Sequence, residues 1–200
     1  MDLEQASQRQ NRTKTHFRQA LIELIKEIGY QHVTVKHIVD RAAYNRSTFY
    51  IHYKDKFDLA NDLLNTMLEG LEQSVGKPFV PGQKVYTTHL KHSSIHIVSY
   101  IYVNRDFFSL IKYEDTLPGL HTQFPKTFLK IYKEQFEFET IGHAPVNMDY
   151  FKKYTAYGFY GLLKYWILED FQEDQETLIQ GVIELTKTHM YSVKYVGMNK

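Results

Sequence analysis

Phe17, Ala20, Leu21, Leu24, Ile25 and Ile28 recur at alternating spacings of three and one, the apolar stripe of an amphipathic helix that Gly29 ends. Thr34 is placed to cap a second helix bearing Val35, Ile38, Val39 and Ala42, about two turns long. An element this short holds only by packing on its neighbours. Ala42-Ala43-Tyr44 makes a brief connection, and Asn45 caps a third short helix through Ser47, Thr48, Phe49 and Tyr50 to about Tyr53. Two short helices across a tight turn predict a helix-turn-helix. Beyond Lys54-Asp55-Lys56, with Asp55 as a further cap, Phe57, Ala60, Leu63, Leu64, Met67, Leu68 and Leu71 predict a longer helix joining this head to a body.

Gly76-Lys77-Pro78-Phe79-Val80-Pro81-Gly82 is the densest Gly/Pro segment and reads as a break between helices. Helix is expected over 84–103, 105–114 and 121–140, with a turn at Pro118-Gly119. Strand competes over 95–103, but Leu90, Ile97, Val98 and Ile101 keep the helical phase. The clearest later signal is Phe151, Tyr154, Thr155, Gly158, Phe159, Leu162, Leu163 and Trp166, a long helix after Asn147 as cap. Asp174 caps a last helix with Leu178, Val182, Leu185, Thr186, His189 and Val193 in phase, and Gly158 and Gly161 would permit close helix approach. The fold class predicted is all-α, with a three-helix head over 1–53 and a helical body over 54–200.

Composition narrows the function. The chain of 200 residues is long enough to bury a sizeable core, and its 43% hydrophobic and 24% charged residues are those of a globular protein. The chain has no cysteine, which removes disulfides and Cys-based zinc sites, and the polar start from Met1 to Arg18 does not resemble a signal peptide, so a soluble cytoplasmic protein is expected. Net charge is +1, but residues 1–60 hold ten Lys/Arg against seven Asp/Glu, which leaves the body negative and the head positive. A phosphate loop, a dinucleotide fingerprint, HExxH and a nucleophile elbow are all missing, so catalysis is the weaker class.

The run from Thr34 through Asp40-Arg-Ala-Ala-Tyr-Asn-Arg-Ser-Thr-Phe-Tyr50 to Leu59 resembles the N-terminal signature of the TetR regulator family. It combines a Thr-capped helix, a turn, a Ser-Thr-Phe-Tyr recognition helix, an aromatic at Tyr53 and a Lys-x-x-x-Leu start to the fourth helix, and covers about residues 10–60. The long C-terminal helices with Gly158, Gly161 and Trp166 are similar to the body of regulators of dihydroxyacetone kinase operons. One departure stands at the turn, where the family pattern usually has Gly and this chain has Ala43. A positive φ there would cost Ala about 1 kcal/mol.

In a helix-turn-helix the second helix enters the major groove with its first side chains toward base edges. Arg46 is the leading base reader, since its planar fork suits guanine O6 and N7, with Asn45, Tyr44 and Ser47 beside it. The resemblance implies phosphate contacts from Thr48, Tyr50, Tyr53 and Lys56, with Lys36, His37, His52 and Lys54 as additions, while the Tyr53 ring is equally suited to the core. Phe49 is assigned to the core. The resemblance also implies a homodimer on palindromic double-stranded DNA, repression released by a small-molecule effector, and no cofactor; a degenerate head serving as an adaptor for a protein partner is the alternative. Candidates for the effector pocket are His96, Tyr100, Tyr102, Phe107, Phe108, Tyr113, Phe151 and Tyr154, and for the dimer face Phe159, Leu162, Leu163, Trp166, Val182 and Leu185. His89, His92 and His96 fall at i, i+3 and i+7, yet no carboxylate or Cys completes a metal signature, so a polar or pocket-lining helix face is expected instead.

Overall fold

The computed structural model describes residues 3–198, which divide into two compact units, one of the residues up to Met67 with Leu110–Leu120, the other of Leu68–Ser109 with His121 onward. In the first unit α1 spans Leu3–Ile28, α2 Val35–Arg41 and α3 Arg46–His52, and α4, Lys56–Gly76, starts there. Phe17, Leu21, Ile25, Ile38, Phe49, Leu59 and Leu63 are fully buried, so the apolar stripes of four helices meet in one core. Phe17 lies at its centre, its ring 5.3 Å from Phe49, 5.1 Å from Tyr44 and 6.4 Å from Tyr53.

Gly29, at φ +75°, ends α1 in the left-handed conformation, and a Cβ there would strike the Asp115 carboxylate. The turn that follows is satisfied from outside itself. Asp115 accepts from the Tyr30 amide through its backbone carbonyl at 3.2 Å and from the Gln31 amide through its carboxylate at 3.1 Å. Lys56 donates from Nζ to the carbonyls of Tyr30, Gln31 and Val33 at 3.1, 3.1 and 2.9 Å. The amides of Tyr30 and Gln31 and the carbonyls of Tyr30, Gln31 and Val33 in this short loop therefore have partners.

Ala43 sits at φ +58°, the strained option raised by the sequence. Ala43→Gly is expected to stabilise the protein by about 1 kcal/mol, read as a higher denaturant midpoint with unchanged slope.

The second unit adds α5 (His96–Val103), α6 (Arg105–Phe108), α7 (Leu120–Lys130, continuing from the first unit), α8 (Met148–Leu168) and α9 (Gln175–His189). It also holds an antiparallel sheet of β1 (Lys84–Tyr86), β3 (Met190–Tyr195) and β2 (Phe136–Thr140) in that spatial order, with Val193 opposite both Val85 and Phe138. Three helical expectations are corrected. Residues 84–95 form β1 and two 3-10 turns, Thr87–His89 and His92–Ser94; residues 131–140 form a π-turn and β2; Val193 lies in β3, not in α9. A smaller correction concerns 105–114, where α6 gives way to a 3-10 turn at Ser109–Lys112. Helix did prevail over strand at 96–103. The sheet's inner side, with Phe136, Met190, Val193 and Tyr195, packs with Ile131 into a separate apolar cluster. Among the described residues no helix is long and apolar enough to cross a membrane.

Candidate nucleic-acid interface

The two helices of the motif are capped as their sequences require. The Thr34 hydroxyl accepts from the His37 amide at 3.2 Å, and Asn45 Oδ1 accepts from the Thr48 amide at 2.8 Å. Asn45 Oδ1 also receives the Ser47 and Thr48 hydroxyls, at 2.7 and 2.8 Å. Asn45 thus serves the fold first, and the hydroxyl protons of Ser47 and Thr48 are committed to it, leaving their lone pairs outward.

With Phe49 buried, Arg46, Ser47, Tyr50 and Ile51 of α3 are exposed. Arg46 makes no ion pair or hydrogen bond among the described residues, so its guanidinium is available. Ile51 is 74% exposed. The sequence reading passed over it because a helix of 7 residues shows too little periodicity to separate its faces. Lys36, His37 and Lys54 are exposed as well, their side chains without partners among the described residues.

Other candidates are placed differently. Tyr53 is 3% exposed, and its hydroxyl donates to Asp62 on α4 at 2.7 Å, the same oxygen that Arg18 of α1 holds at 2.7 Å. Burial would raise the Asp62 carboxyl, but the bonds from Arg18 and Tyr53 outweigh it and keep its pKa below the ordinary value. The expected phosphate contact by Tyr53 is therefore corrected to a clamp of α1, α3 and α4. Lys56 is corrected too, because three carbonyls use its three protons and its Nζ lies 4.7 Å from the Tyr30 ring centre. Lys56→Ala is expected to cost about 2 kcal/mol of stability while leaving the salt dependence of DNA binding unchanged. Denaturant titration and salt titration of the same variant check both halves. The Tyr44 hydroxyl pairs with His16 Nδ1 at 3.0 Å, which draws it toward α1. Burial, and then the charge of Lys14, lower the His52 pKa.

Residues 18–63, which hold this motif, match the model of bacterial regulatory proteins of the tetR family. Residues 88–188, half of the chain, match the transcriptional regulator C-terminal region of that kind. The chain belongs to the TetR family. A curated relative in Bacillus subtilis (strain 168), the uncharacterized HTH-type transcriptional regulator YxbF, is 28% identical over 173 residues, covering 84% of this chain and 43% of its own length. The chain therefore spans under half of that relative. Among solved structures, a TetR transcriptional regulator from Streptococcus agalactiae 2603V superposes with TM-score 0.59 at 21% identity, over 92% of this chain and 98% of the other. The dihydroxyacetone kinase operon activator DhaS gives 0.57 at 13% identity, over 88% and 94%. Both are likenesses of fold, and the narrower resemblance to kinase-operon regulators rests on nothing finer. The matched families describe regulators of transcription, not enzymes.

In the TetR body, the expected pocket residues do not converge. Of them His96 lines an apolar cavity beside the sheet; Phe107 and Phe108 are buried in the core, and Tyr113 belongs to the segment of the first unit. Tyr100 packs edge-on against Phe108, and Tyr102 stacks on Trp166. Phe151 packs on Phe138 and His189, and Tyr154 stands 78% exposed beside a groove between α8 and α9. The dimer candidates split likewise. Leu163 and Trp166 are 0% and 3% exposed, and Val182 is buried, so all three pack inside their own chain; Trp166 Nε1 donates to the Glu173 carbonyl at 2.8 Å. Leu162 and Leu185 are exposed, and Phe159 is half-buried against Phe128. Gly158 and Gly161 face open space on their own chain, not a neighbouring helix. The three His do not share a helix, since His89 and His92 lie in separate 3-10 turns and only His96 in α5. No group of three potential ligands for a metal occurs among the described residues.

Proposed function

We propose that this TetR-family chain is a cytoplasmic repressor that binds palindromic double-stranded DNA as a homodimer and is released by a small-molecule effector. The observation that carries the reading is the exposed surface of α3, where Arg46, Ser47, Tyr50 and Ile51 meet solvent while Phe49 anchors the helix in the core. Arg46 reads guanine, Ile51 packs on a thymine methyl, and Tyr50, Lys36 and Lys54 hold phosphates. An exposed isoleucine is costly in a free protein and useful in a groove that offers methyl groups. Residues 1–53 act as the DNA-binding head and residues 54–200 as the regulatory body.

The second copy covers α8 and α9. Tyr154, Tyr157, Leu162, Tyr165 and Leu168 form an exposed stripe along α8, with Leu185 on α9. Gly158, Gly161 and Gly181, each open to space, let another helix approach closely. A two-fold pairing there presents two heads to successive major grooves. Selection of genomic fragments with the purified chain tests the reading. Recovery of one inverted repeat supports it, whereas random fragments alone would move the head to the adaptor role.

A further inference from the structure

α1 is longer than the packing of the head requires. It starts at Leu3, yet its apolar stripe starts at Phe17, and the first buried residue described along it is Thr13. Residues 3–12 therefore make about 15 Å of helix ahead of the core. Gln8, Gln10, Asn11 and Arg12 face different sides of these turns, and all of them are exposed. Residues 7–16 include no apolar side chain, so the stripe that a membrane surface or a partner helix would grip is missing. A short helix that is polar in this way draws little stability from its own sequence and gains it from a polar partner.

The charge of this segment has one sign. From Gln5 to Ile22 the chain holds Arg9, Arg12, Lys14 and Arg18 and neither Asp nor Glu. Arg18 turns inward to Asp62, whereas Arg12 stands in solvent. The segment also leaves the core beside α3. His16 Nδ1 pairs with the Tyr44 hydroxyl at 3.0 Å just ahead of α3, and Lys14 Nζ lies 5.6 Å from the ring centre of Tyr53 at its end. The Phe17 ring lies 6.4 Å from that of His52. The match to the tetR-family model begins only at residue 18, so these turns are additional to the shared motif.

Resting on the DNA-binding reading, we propose that the first turns of α1, with Arg12 as the leading cation, form a second DNA contact that holds phosphates flanking the base pairs read by α3. Duplex DNA is the occupant because cations without carboxylates, amide donors and no apolar stripe match a sugar-phosphate backbone, and because the neighbouring α3 brings that backbone close. Gln8, Gln10 and Asn11 add amide protons for phosphate oxygens, and the contact carries no base preference. Its consequence is a footprint longer than the inverted repeat.

Two duplexes with the same inverted repeat test this, one ending at the repeat and one extended by about ten base pairs, a helical turn, on each side. The unaltered full-length protein is expected to bind the extended duplex about tenfold or more tightly, whatever the flanking sequence. Arg12→Ala is expected to lose most of that advantage. Its salt slope should fall by about 1.8 on the extended duplex, one phosphate contact from each of two heads, and stay unchanged on the short one. Arg12→Glu, which sets a carboxylate against the phosphates, is expected to abolish the advantage. Circular dichroism confirms that each variant is folded, and the comparison of duplex lengths with the unaltered protein stands as a test by itself. Equal affinity for the two duplexes, an advantage that depends on the flanking bases, or an unchanged Arg12→Ala slope on the extended duplex overturns the proposal and leaves specific binding to the repeat intact. Loss of preference for the repeat on both duplexes overturns the DNA-binding reading and the proposal together, so the two failures are distinct.

Discussion

Phe17→Ala is expected to destabilise the head by about 3–5 kcal/mol, a large part of the roughly 5–15 kcal/mol that holds a domain together. The ring is fully buried and touches Tyr44 of the turn, Phe49 of α3 and Tyr53 at the end of α3. A cavity there could close only by moving α3, whose two buried aromatic anchors, Phe49 and the capping Tyr53, both pack on this ring. Hydrogen exchange checks the effect residue by residue, with protection expected to fall across α1 to α3. A loss under about 1 kcal/mol would mean that Phe17 is not the keystone of the head.

Arg46→Ala is expected to remove about 1–3 kcal/mol of discrimination, roughly five- to 150-fold in preference for the operator over a site altered at one base pair. Binding to unrelated DNA should weaken far less, because only one of several cations is lost. Lys36→Ala provides the contrast. It is expected to weaken all sequences alike and to reduce the salt slope by about 1.8, one phosphate contact being lost from each of two heads. Competition titrations with operator and scrambled duplexes compare the two variants. Equal loss of specificity from both would dissolve the division between base reading and phosphate holding.

The head was legible because its signals are local. Thr34 and Asn45 cap the helices that their positions predict, the stripe from Phe17 to Ile28 packs as one face, and Ala43 takes the positive φ that the missing Gly implies. Lys56 was misread, and Tyr53 left between phosphate and core, for one reason. Their partners, the carbonyls of residues 30, 31 and 33 and the Asp62 carboxylate, are brought near only by tertiary packing. Charge and hydroxyl identify a group able to bind phosphate, and say nothing of who claims it first.

The body was legible only in its helices. Phe136-Glu-Phe-Glu-Thr140 alternates as a strand should, but aromatic density over 121–140 also fits a helix, and β2 pairs with a segment more than 50 residues away. The same misassignment hid the cavity, whose wall is that sheet. Aromatics chosen for a pocket were needed for the core, as Phe107 and Phe108 are. Along α8, helical spacing marked Leu162 and Leu163 alike, and only packing separates the exposed one from the buried one.

The most direct test of DNA recognition by this head is a salt titration of the purified protein on the proposed inverted repeat. Two heads, each neutralising at least two phosphates through Lys36 and Lys54, predict that log K falls against log salt with a slope of about −3.6 or steeper, while the operator keeps its advantage over scrambled DNA. A slope near zero, or equal affinity for operator and scrambled duplex at every salt concentration, would contradict the assignment of α3 as a reader of DNA.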